Sequence, residues 1–174
     1  NNAFGVALMN AQDVVLDGGI INSGNAAVTA DGTPNLVIKK SRLLAFGLGA
    51  RAIDIVGAAS YAAVANTTAV AKNSCDVIVV EDAQGDLGGV GYPGLLLDGV
   101  LAMTDDDQAS QCDTVQVHAA TAFIKNSRIG LSFGGAGGGA ETNHALGVGR
   151  KFQAAANDTV RVDVQSNVFF RLDL

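Results

Sequence analysis

Thr159-Val160-Arg161-Val162-Asp163-Val164-Gln165 sets valine at every second position, with polar groups between. Successive side chains of an extended chain point to opposite faces, so the run predicts a strand with one apolar and one wet face. Working outward, the same alternation governs Arg128-Ile129-Gly130-Leu131-Ser132-Phe133, Thr114-Val115-Gln116-Val117 and Arg51-Ala52-Ile53-Asp54-Ile55. It also governs Phe169-Phe170-Arg171-Leu172-Asp173-Leu174. Asp76-Val77-Ile78-Val79-Val80 and Asn35-Leu36-Val37-Ile38 are short apolar runs of the kind found in strands covered on both faces. Turn-forming clusters separate these runs: Asn22-Ser23-Gly24-Asn25, Asp31-Gly32-Thr33-Pro34, Ala83-Gln84-Gly85-Asp86 and Asn126-Ser127. The Ala-rich stretch 58–72 is broken by Asn66-Thr67-Thr68, residues that disfavour helix interiors, and reads as strand-turn-strand. The pattern predicts an all-β fold, an antiparallel β-sandwich or jelly-roll-like barrel of about ten short strands joined by Gly-rich loops. One β-rich domain over residues 1–174 accounts for the length.

Composition narrows the function. The chain is 48% hydrophobic and 16% charged, which excludes disorder. Aromatics reach 5% with no Trp, a poor start for a small-molecule pocket lined by aromatic walls. A net charge of −6 disfavours nucleic acid, whose binding needs Lys and Arg to displace counterions. No apolar run reaches the roughly 18 residues of a membrane-spanning helix. Asn1 in the place of a start Met predicts a processed or trimmed N-terminus, as in export or particle maturation.

The motifs that could carry chemistry lack their context. Gly130-Leu131-Ser132-Phe133-Gly134 fits the nucleophile-elbow spacing, but the acid and histidine should follow the serine in that order. After Ser132 the only histidine is His144, preceded among the later acids by Glu141 alone, and the segment that should open the elbow's helix is Gly134-Gly135-Ala136-Gly137-Gly138-Gly139. Gly47-Leu48-Gly49-Ala50-Arg51-Ala52 and Gly135-Ala136-Gly137-Gly138-Gly139-Ala140 match a dinucleotide fingerprint, yet no helix is predicted after either. His118 closes an alternating strand and reads as a strand-end or surface residue rather than a ligand. No metal-ligand spacing of Cys and His is present. Asp105-Asp106-Asp107, with Asp98 and Asp113 nearby, is the densest acidic cluster and the one weak calcium candidate; the plainer reading is a solvated turn. Asn66-Thr67-Thr68 and Asn157-Asp158-Thr159 are glycosylation sequons that matter only on a glycosylating secretory route. Cys75 and Cys112 each precede a predicted strand, and two strands starting level would bring the sulfurs within reach. A disulfide closing that loop would contribute about 4 kcal/mol on a chain-entropy estimate; the alternative is two buried thiols.

Residues 18–103 resemble a β-rich module of tailed-phage virion proteins, including head-decoration, head-fibre and tail-fibre types. The resemblance is carried by Ser23-Gly24-Asn25, the run Val28-Thr29-Ala30-Asp31-Gly32-Thr33-Pro34-Asn35-Leu36-Val37-Ile38, and Ala63-Val64-Ala65-Asn66-Thr67-Thr68. Asp76-Val77-Ile78-Val79-Val80, Glu81-Asp82-Ala83-Gln84-Gly85 and Gly99-Val100-Leu101-Ala102 continue it. Lys39-Lys40-Ser41-Arg42 and the cysteines depart from it.

The resemblance implies a structural role with no catalytic residues to carry over. The expectation is therefore a non-enzymatic virion structural protein, a capsid decoration or fibre-like subunit, at a virion surface or outside the cell. Its partners would be copies of itself, as a trimer or higher, and a capsid or filament lattice, with no cofactor. The alternative is a secreted filament or pilus-like subunit in which residues 1–9 leave their own domain to complete a neighbour's sheet. Phe4, Val6 and Leu8 share the face such a strand needs; an ordinary first strand is the plainer reading. Phe170, Leu172 and Leu174 form a second apolar face, and both ends are expected to be paired within the subunit or across an interface. A carbohydrate-binding module is weakened by the lack of Trp and by having only Tyr61 and Tyr92.

Overall fold

The computed structural model describes residues 5–57, 60–72, 76–83, 94–105, 113–133, 144–148 and 160–173. Among the described residues it holds sixteen strands and no helix. In chain order they are β1 (Val6–Met9), β2 (Val15–Ser23), β3 (Val28–Asp31), β4 (Leu36–Ala45), β5 (Ile53–Val56), β6 (Ala62–Ala65), β7 (Thr68–Lys72) and β8 (Ile78–Glu81). There follow β9 (Leu95–Asp98), β10 (Leu101–Asp105), β11 (Asp113–His118), β12 (Thr121–Lys125), β13 (Arg128–Phe133), β14 (His144–Val148), β15 (Arg161–Gln165) and β16 (Val168–Asp173).

Every strand pairing is parallel, which corrects the predicted antiparallel sandwich or jelly-roll-like barrel. One sheet runs β1-β3-β5-β8-β11-β14, and the remaining ten strands form the other. Val28 pairs with Ile53 and Ile53 with Ile78, a step of 25 residues each time. The chain therefore winds in stacked coils, each passing once through both sheets and returning one strand spacing, about 4.8 Å, higher. Six coils are present: β1–β2, β3–β4, β5–β7, β8–β10, β11–β13 and β14–β16.

Alternation reports which side chains face inward and says nothing of strand direction. That is why a period of two was compatible with either topology. Of the turn clusters, Asp31-Gly32-Thr33-Pro34 and Asn126-Ser127 are bends between strands of one coil, Asn22-Ser23-Gly24-Asn25 leads from coil 1 to coil 2, and Gln84, Gly85 and Asp86 lie outside the described residues.

Those bends repeat. The left-handed backbone region recurs at Gly18, Lys40, Asn66, Gly99, Asn126 and Ser166, the same bend of all six coils. It recurs at Asn10, Gly32, Gly57, Asp82 and Ala119, the bend after each strand of the first sheet in coils 1–5. Gly, Asn and Asp tolerate this region best, and they supply most of both columns. At Gly99 the bend also needs space: an added Cβ would stand 2.9 Å from Asn66 Oδ1.

Inside the coils, equivalent residues stack into apolar columns. Val28, Ile53, Ile78 and Val115 form one, Ile38, Val64, Leu97 and Ile124 a second, and Leu43, Ala69, Ala102 and Ile129 a third, all fully buried. A buried column of small polar groups runs beside the first bend. Ser41, Thr67 and Ser127 hydroxyls each donate to the carbonyl two residues back. The Thr67 and Ser127 oxygens also accept from the preceding coil: Ser41 N–H donates to Thr67 Oγ1 at 3.4 Å, and Val100 N–H to Ser127 Oγ at 3.1 Å. Ser127 N–H in turn donates to Asn167 Oδ1 at 2.9 Å.

The predicted strand-turn-strand over 58–72 is present as β6 and β7 around Asn66-Thr67. The dinucleotide-like Gly47–Ala52 segment leads directly into strand β5. The Gly-rich segments 87–93 and 134–139 lie outside the described residues.

Candidate functional site

The largest polar cluster lies on the first sheet. Arg51, Asp76, Asp113 and His144 occupy one position in four successive coils. His144 Nδ1 meets Asp113 Oδ1 at 2.9 Å. Gln116 Nε2 donates to Asp76 Oδ1 at 2.8 Å and reaches Asp113 Oδ2 at 3.4 Å, while Gln116 Oε1 meets His118 Nε2 at 2.9 Å. Gln116 and His118 are buried, whereas His144 is exposed. Arg51 turns to Asp54 at 2.9 Å. His118 ends β11, as expected, but it is buried rather than a surface residue and belongs to a network that joins three coils. Sequence reading missed this network because its links between coils span 31 and 40 positions; the coil step is the signal that would have found it.

Ser132 lies within β13, paired with Asp105 on one side and Leu172 on the other, in a parallel strand flanked by strands. Among the described residues, no three His, Cys, Asp or Glu side chains are grouped to hold a metal ion. Of the calcium candidates, Asp105 ends β10, and Asp106 and Asp107 lie outside the described residues. Cys75 and Cys112 also lie outside them. The strands that follow these cysteines are neighbours, with Ile78 paired to Val115, each three positions after its cysteine.

A second polar ladder marks the outer side of the bend. Asp17 faces Lys39 at 3.1 Å in the first two coils, and Asp98 faces Lys125 at 3.1 Å in the fourth and fifth. Asn126 Nδ2 also donates to Asp98 Oδ1 at 2.9 Å. The Asn126 hydrogen bond and the Lys125 ammonium hold the Asp98 carboxyl below the ordinary aspartate range.

The expected assembly residues divide by position. Phe4 and Leu174 lie outside the described residues, and Leu172 lies in β16. Val6 and Leu8 are half-buried in β1, which pairs with β3 of its own chain, over Val28 and Ala30. Phe170 faces Gly130, with the Arg128 guanidinium 5.7 Å from its ring centre. Phe169 continues the inward column above Ile129.

No protein-family model, curated protein or solved structure matches this chain. What the geometry singles out is the pair of end coils. Of the nine large apolar side chains exposed among the described residues, seven belong to coils 1 and 6: Met9, Val15, Ile20, Val148, Val164, Val168 and Phe169. Val148, Val164 and Phe169 stand at inward positions, above fully buried Val117, Ile124 and Ile129. Among the described residues the apolar interior is thus uncovered at coil 6, while at coil 1 the inward Val6, Leu8, Leu16 and Ile21 are half-buried. Among the described residues no further strand pairs with the outer edges of β1, β2, β14, β15 and β16, and it is through such edges that sheets extend.

Proposed function

We propose that this chain is a non-enzymatic structural subunit, a fibre-like or decoration element of a virion surface that acts through protein–protein assembly. The observation that carries the reading is the uncovered apolar interior at coil 6, with Phe169 and Val164 about half exposed at inward positions. Stacked coils in which each contacts only its neighbours make a stiff, extendable unit, the property a fibre or lattice element uses. The virion-module resemblance of residues 18–103 supports the same class. The uncovered end equally suits a secreted filament. A donated strand, however, would have to withdraw β1 from its ladder on β3.

Gold-labelled antibody raised against the chain tests the reading on particles and cells of the source. Label on exposed fibres or capsid surfaces is the expected result. Label found only on soluble protein overturns it. Ser132→Ala should leave folding and surface incorporation unchanged; loss of a hydrolytic activity in that variant would show an enzyme instead.

A further inference from the structure

We propose that two copies of this chain join head to tail, coil 6 of one seating on coil 1 of the next as an additional turn of the same solenoid. The inference rests on the reading of the chain as an assembling subunit, and it names the partner as a second copy.

The strand register makes the fit explicit. Continuing each column by one coil sets Val164 over Leu16, Phe169 over Ile21 and Leu146 over Val6. All three contacts are apolar on apolar, as in every internal step of these columns. The bend continues as well, with Ser166 followed by Gly18, both left-handed.

Charge selects the same arrangement. One outer column reads Asp13, Asn35, Tyr61, Gly94, Thr121, Arg161 from first coil to last. A copy added at either end therefore brings Arg161 against Asp13. The only charged residues among positions 5–23 are Asp13 and Asp17, and Asp17 would meet neutral Gln165. Arg161 already reaches Asp163 at 3.0 Å and remains largely exposed, so its guanidinium has donors left for a second carboxylate. Head-to-head contact would instead bring together two copies of coil 1, whose charged residues among positions 5–23 are acidic only, with no basic group to meet them. The contact is heterologous, so repetition gives an open linear assembly.

Sedimentation velocity and negative-stain microscopy of the full chain test this, with Asp13→Arg, Arg161→Asp and the double swap in one chain. Wild type should form rods that lengthen with concentration. Each single swap should weaken association about tenfold, and the double swap should restore it to within about threefold, because residue 13 then again faces its opposite charge at 161. Circular dichroism of each variant establishes that it is folded. Assembly of the wild type without rescue by the double swap overturns the head-to-tail contact. A wild type that stays monomeric at about 100 μM overturns the inference too. Exchange protection of β1 and β16 in that monomer would mean that the same polypeptide covers its ends. Surface label on particles together with a monomer in solution would leave the structural reading standing and remove only the stacking. Rods together with label confined to soluble protein would do the reverse.

Discussion

Asn126 combines two tasks: its backbone takes the left-handed bend, and its side chain donates to Asp98. The two separate by substitution. Asn126→Ala and Asn126→Gly both lose the hydrogen bond, but only alanine meets the left-handed penalty of about 1–2 kcal/mol, against glycine's extra chain entropy of about 0.5–1 kcal/mol. Urea unfolding should therefore find Asn126→Ala less stable than Asn126→Gly by roughly 0.5–1 kcal/mol; equal stabilities would show that the bend is not strained. Asp98 adds a pH dependence. Its folded-state pKa is held down by Asn126 and Lys125, so its contribution is complete above the unfolded-state value of about 3.9 and is lost as pH falls through the folded-state value. The stability gap between wild type and Asp98→Asn should be present at pH 7 and close as pH falls below the unfolded-state value and through the lower folded-state one. A gap that persists in acid would mean the carboxylate's charge is not what matters.

Element boundaries were largely legible, and their arrangement was not. The alternating runs contain the strands Ile53–Val56 (all but its last residue), Arg128–Phe133 and Arg161–Gln165, and Thr114–Val117 lies within Asp113–His118, because alternation follows directly from burying one face. Direction was lost because Asn126-Ser127 and Asp31-Gly32-Thr33-Pro34 have hairpin-like composition, whereas each is one member of a bend column. The steps between equivalent residues, 22 from Val6 to Val28, 25 to Ile53 and 37 from Ile78 to Val115, are too uneven for a repeat to stand out. The end-coil residues were partly visible, in Val6 and Leu8, but which of Phe169 and Phe170 faces inward depends on the register with β13. Bend elements also bear a stability test. Ser127→Ala leaves the buried Val100 N–H without its acceptor and should cost about 1–3 kcal/mol, whereas Ser166→Ala removes no such acceptor. The pairing of β8 with β11 further implies that unfolded, unreduced protein should show no free thiol at Cys75 or Cys112; two labelled thiols would exclude the bond.

At the scale of the whole molecule, a stack in which each coil touches only its neighbours distributes stability as a sum of coil and interface contributions. Inner coils have two interfaces and end coils one, so the same chemistry should count differently along one column. Ile124 and Val164 provide the comparison, since they are paired in register and both face inward. Ile124 is fully buried between coils, while Val164 is 53% exposed on the last. Truncating Ile124 to alanine removes buried methyl groups and opens a cavity, at a cost of about 2–5 kcal/mol. Truncating Val164 removes side-chain surface already half in water, so the cost should stay below about 1.5 kcal/mol. Urea titration below the concentration at which rods form should return that ordering. Above it, Val164→Ala should lose assembly before it loses fold, because the covering coil then comes from the next copy. Equal costs for the two substitutions in the dilute monomer would mean that the interior above Val164 is already closed within the single chain, and the open-ended solenoid would be the wrong description of coil 6.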